Sequence, residues 1–142
     1  MKFARAAMAA SLLAASACQT ASAATGNVLF NGTITVSSNL QSLSSHNAGG
    51  SAGSAQVDTT GGVSLSVDPV TTTTVPASDT TATTWTPTFA TSGAQTIAET
   101  GTATALTVPG TSTVAVNLAG TKSGTNRFSA GNYQATVTLR CE

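Results

Sequence analysis

Few residues of this chain could do chemistry. A nucleophilic triad needs a base beside the nucleophile, and that base is usually histidine. His46, the 1 histidine present, sits in a Ser/Gly/Asn-rich stretch and reads as an exposed loop residue. A zinc site needs several Cys or His ligands at short spacing, whereas Cys18 and Cys141 stand near opposite ends of the sequence. Asp58, Asp68, Asp79 and Glu99 are numerous enough to offer the carboxylate pair of a glycoside hydrolase. Each lies beside turn-forming residues, and none has aromatic sugar-binding neighbours. They read as turn or solvated surface residues, and they are not spaced as a calcium loop. The expectation is a protein that is not an enzyme and carries no metal or cofactor.

The cysteines turn on how the N-terminus is processed. Lys2 and Arg5 precede an uncharged run from Ala6 to Ala17, and Ala21-Ser22-Ala23 follows. Charged, apolar and A-x-A segments in that order form a secretory signal. Cleavage after Ala23 is expected, leaving one domain over 24–142. The apolar run is shorter than the ~20 residues that span a bilayer, so no permanent membrane span is expected. Ala15-Ser16-Ala17-Cys18 offers a rival reading as a lipobox, in which Cys18 is acylated and anchors a surface lipoprotein. If Cys18 leaves with the leader, Cys141 has no partner within the chain. It is then either a small buried hydrophobe, which the strand pattern favours, or a thiol used between chains.

Composition excludes further classes. Charged residues make up only 7% of the chain, against ~25% in ordinary soluble domains. Beyond the leader, Lys122, Arg127 and Arg140 face Asp58, Asp68, Asp79, Glu99 and Glu142, a slight acidic excess. Nucleic-acid binding needs clustered cations to displace counterions, and these are scattered. Solubility must come from Thr, Ser, Asn and Gly.

The elements that position these residues are strands. Apolar residues alternate after Ala24, and threonine, which favours extended backbone, is abundant. Asn27 to Val36 is the first strand. Ser37 to Gly62 reads as a loop with at most one short strand near Ala55–Val57. Val63–Val67 is cleanly alternating, and Thr71–Thr84 is either a weak edge strand or a Thr-rich connection. Trp85, Pro87 and Phe89 are expected to supply the bulkiest core. Further strands follow around Ile97, Ala103–Val108 and Val114–Leu118. The last runs from Tyr133 to Cys141, with Tyr133, Ala135, Val137, Leu139 and Cys141 on one face. Short strands broken by frequent turns argue for an all-β sandwich, with a barrel as the alternative.

Both ends of the mature chain resemble fimbrial subunits. Gly26-Asn-Val28-Leu-Phe30-Asn-Gly32-Thr-Ile34 is similar to the G-x-V-x-F-x-G-x-[IV] donor strand of chaperone–usher pilins. Ala130-Gly131-Asn132-Tyr133, followed by alternation to Leu139, resembles the A-G-x-Y closing strand of pilin and spore-coat-U-like domains. Where many such pilins carry a cysteine after the donor strand, this chain reads Ser37-Ser38-Asn39.

The resemblance implies an immunoglobulin-like β-sandwich that is incomplete and is completed by a donated strand. Val28, Phe30 and Ile34 would be the inserted knobs, and Gly32 would permit close approach. Tyr133, Ala135, Val137 and Leu139 would line the groove, and a periplasmic chaperone would hold that strand before an outer-membrane usher assembles the fibre. The implied function is a structural, adhesive subunit that polymerises with itself or related subunits at the cell surface. Two alternatives stand beside it: an ordinary first strand packed within its own domain, and a monomeric secreted binding module that stacks carbohydrate on Trp85 and Phe89.

Overall fold

The computed structural model describes residues 16–18, 24–34, 40–46 and 51–142. The leader upstream of Ser16, the Ala21–Ala23 cleavage sequence and Val36 lie outside them. Eleven strands follow one another: β1 (Ser16–Cys18), β2 (Ala24–Ile34), β3 (Ser42–Ser44), β4 (Gly53–Thr59), β5 (Val63–Val67), β6 (Thr72–Thr74), β7 (Thr84–Gly93), β8 (Ile97–Thr100), β9 (Thr104–Leu106), β10 (Gly110–Thr121) and β11 (Gly131–Cys141).

They form two sheets packed as a β-sandwich, not a closed barrel. A six-stranded sheet runs β1-β4-β10-β7-β8, with β3 following β4 along the same side of β10. A five-stranded sheet runs β2-β11-β5-β9, with β6 also paired to β11. All described pairings are antiparallel except β1 with β4.

The long strands β10 and β11 form the spine of the two layers, and both alternate as period-two strands must. Ser112, Val114, Val116 and Leu118 of β10 are buried, as are Tyr133, Ala135, Val137, Leu139 and Cys141 of β11. Leu43, Val57, Leu65, Phe89 and Leu106 fill the space between them. Fully burying one such side chain is worth about 1.5–3 kcal/mol, so this cluster is the main source of cohesion.

Val63–Val67 and the C-terminal strand form as the alternation predicts. The stretch 37–62 holds more structure than expected, namely β3 and the seven-residue β4. The inward positions of β4 include Gly53, Val57 and Thr59, which are too small and mixed to produce a hydrophobic alternation. Pairing with β10 from Thr59↔Gly110 to Gly53↔Val116 makes the strand. Within the threonine run Thr72–Thr74 is a strand, laid against Gln134–Thr136, and Thr84 opens β7.

Phe89 is wholly buried, while Trp85 and Pro87 are half-buried. Pro87 pairs with Leu118 beyond the end of β8, where β7 has a neighbour on one side only. A residue without a backbone donor is tolerated there. Trp85 stands opposite Gly120, and a Cβ on that glycine would meet the indole ring at 2.5 Å. The missing side chain lets the ring lie on the strand.

Candidate functional site: the strand pair formed by the chain ends

β2 and β11 pair antiparallel along their whole lengths, from Ala24↔Cys141 to Ile34↔Gly131. The two motifs read at opposite ends of the sequence thus become neighbours in space. Val28 is the register partner of Val137, Phe30 of Ala135 and Gly32 of Tyr133, while Leu139 stands opposite Gly26. Bulk alternates across the ladder: glycine stands opposite tyrosine, and phenylalanine opposite alanine. Directly opposed residues share one face of a sheet, and on β11 that face is the buried one. β2 is the last strand of its sheet, with β11 as its ladder partner. An N-terminal edge strand of this kind can be exchanged between chains without unmaking the sheet behind it.

The start of β11 is set by local chemistry. Gly131 adopts φ +137°, and Pro76 packs where its Cβ would lie, at 2.6 Å. Only glycine combines that conformation with that contact. Two residues on, Tyr133 is fully buried, with its ring edge-on to Phe128 at 5.3 Å.

Tyr133 also belongs to a buried ionic cluster. Lys122 continues the inward phase of β10 one step past Gly120, and its Nζ lies 2.7 Å from Asp79 Oδ1 with both side chains out of solvent. The ammonium also donates to the Thr81 carbonyl at 2.6 Å and lies 5.0 Å from the Phe128 ring centre. The Tyr133 hydroxyl donates to Asp79 Oδ2 at 2.7 Å, and the Ser129 carbonyl shares that proton at 2.9 Å. The Thr81 N–H completes the set on Asp79 Oδ1 at 3.3 Å.

Burial by itself raises the Asp79 carboxyl pKa. Hydrogen bonds from Lys122, Tyr133 and Thr81, together with the lysine charge, outweigh it and hold the carboxyl below its ordinary value. Burial, and then the bond to Asp79 and its charge, push the Tyr133 phenol up. The cluster joins the connection after β6 to the end of β10 and the start of β11, where Tyr133 stands opposite Gly32.

Asp79 therefore corrects its reading as a turn or surface residue. The signal that could have found it is Lys122, because a lysine in the inward phase of a strand needs a buried counter-ion. The other carboxylates sit at the surface or partly buried. Asp68 receives Arg140 Nε on both oxygens at 2.8 and 2.7 Å. Glu99 pairs with exposed His46 at 3.0 Å and accepts from the Thr88 hydroxyl at 2.6 Å. The described residues contain no group of three or more His, Cys, Asp or Glu able to hold a metal ion. Among them, no helix is long and apolar enough to cross a membrane.

Phe89 is fully buried, and the Trp85 ring lies on Gly120 and tilts against Phe128 at 6.5 Å. The two do not form a joint exposed platform for sugar stacking. Cys141 is buried, as its phase predicts, but it is disulfide-bonded. In the uncleaved chain, which retains Cys18, Cys141 therefore has a partner. Comparison with protein-family models, with curated proteins and with solved structures finds no match for this chain.

Proposed function

We propose that this chain is a structural subunit of a bacterial surface fibre or coat, built as an immunoglobulin-like sandwich that β2 completes. In the single chain β2 fills the β11 edge in cis. In the assembly a neighbour's β2 takes the same place, and the repeated exchange builds a polymer that contributes to adhesion. The observation that carries this reading is the size match across the ladder, Gly32 to Tyr133 and Phe30 to Ala135. Such a pair is self-complementary between copies as well as within one.

On this reading the subunit passes through the periplasm to the cell surface. A β11 edge stripped of β2 is an aggregation hazard. A periplasmic chaperone covers it, and an outer-membrane usher delivers it to the growing end. The alternatives of a monomeric secreted binding module and of a Cys18-anchored lipoprotein gain no comparable support.

The test is exchange between two differently tagged copies, expressed with a chaperone and an usher. Mixed ladders that survive detergent and collapse on boiling are expected, and Phe30→Asp abolishes them. A wild-type protein that stays monomeric, with no mixed species at any concentration, would sink the proposal.

A further inference from the structure

The bond at Cys141 bears on where the mature chain begins. Cys141 is disulfide-bonded, no described cysteine is free, and the chain contains 2 cysteines. The sequence offers one other cysteine, Cys18. Ser16–Cys18 form β1, which lies in register with Val57–Thr59 of β4. Cys18 is thus placed against the sheet at Thr59, within a segment that cleavage after Ala23 would discard; a cut after Ala17 keeps that position and gives up Ser16 and Ala17 with the leader. The path of the chain agrees with this. Cys18 stands opposite Thr59 in one sheet, and the chain re-enters the other sheet at Ala24, the register partner of Cys141. Cys141 itself is buried between the sheets.

We infer that the export cut falls after Ala17, that Cys18 is the first residue of the mature protein, and that a Cys18–Cys141 disulfide ties the two chain ends together. Ala15-Ser16-Ala17 supplies small residues at the −3 and −1 positions just before Cys18. Lys2 and Arg5 with the apolar run that follows remain a sufficient leader. The same four residues also read as a lipobox, but one sulfur cannot serve both ends. A Cys18 Sγ bonded to Cys141 has no valence for a thioether to a lipid, so the disulfide excludes the anchored form.

Forming the bond breaks two S–H bonds and makes one S–S bond. Two electrons and two protons pass to an exchangeable disulfide of the export compartment, which becomes a dithiol. The bond seals the end of the β2–β11 ladder in cis. The inference does not rest on the fibre reading and holds equally for a monomer.

The experiment is whole-protein mass spectrometry of the full precursor after export by a bacterial host, with thiol alkylation before and after reduction. The expected mature chain begins at Cys18, takes up no alkyl group as isolated, and takes up two after reduction. In Cys141→Ser, the same N-terminus with one alkylatable thiol is expected; if that variant does not accumulate, the wild-type mass decides alone. A chain beginning at Ala24 with a single reactive thiol would overturn the inference, as would acyl groups on Cys18. The readout is the same whether the protein runs as a monomer or as a ladder, so failure of polymer assembly leaves it intact.

Discussion

Gly32 of β2 stands opposite Tyr133 of β11, the largest fully buried side chain among the described residues. The next inward pair reverses the sizes, with Phe30 opposite Ala135. A leucine at position 32 adds bulk where the facing strand already carries a tyrosine. Overpacking of this kind costs about 1–3 kcal/mol. Thr33 is the register partner of Asn132, which is exposed. Thr33→Leu should stay within about 0.5 kcal/mol of wild type. Urea unfolding of the two variants checks this, and equal losses would show that the register does not set the fit.

Asp79 and Lys122 form a pair whose partners depend on one another. Asp79→Ala leaves a buried ammonium with only the Thr81 carbonyl and the Phe128 ring to face. Breaking a buried pair on one side costs roughly 3–5 kcal/mol, a large part of a small domain's stability. Replacing both partners, as Asp79→Leu with Lys122→Met, removes the stranded charge and should recover most of the loss. A double-mutant cycle by equilibrium unfolding measures the coupling. If the single variants cost under about 1 kcal/mol each, the pair behaves as a surface bridge.

The same cluster sets a two-sided pH dependence. The Asp79 carboxyl is held below its ordinary value. Its contribution is complete above the unfolded pKa, about 3.9, and is lost as pH falls through the lower folded value. The Tyr133 phenol is pushed up. Its contribution is complete below the unfolded pKa of about 10 and is lost as pH rises toward the folded value. Thermal midpoints followed by circular dichroism should fall on both flanks. Tyr133→Phe should remove part of the alkaline limb, and Asp79→Asn part of the acid limb. Unchanged limbs in both variants would remove the cluster from the account.

Some of this was legible in the chain of letters. Alternation at Val63–Val67 and Tyr133–Cys141 marks strands because a strand with one buried face must repeat every two residues. The two terminal motifs are visible for the same reason. β4 was legible only as a short strand near Ala55–Val57, because its inward residues are small and its pairing comes from β10, far away in sequence. Asp79 looked like a turn residue because only its neighbours along the chain were in view.

By itself, then, the sequence determined the all-β character and the buried face of the C-terminal strand, since both follow from local alternation. The tertiary structure alone decided that β2 lies on β11, with glycine against tyrosine, and that Lys122 meets Asp79. It also supplied Cys141 with a bond. Each joins residues far apart in the sequence, 43 positions for Lys122 and Asp79, and no local periodicity encodes which distant partner a buried charge or a buried thiol will find.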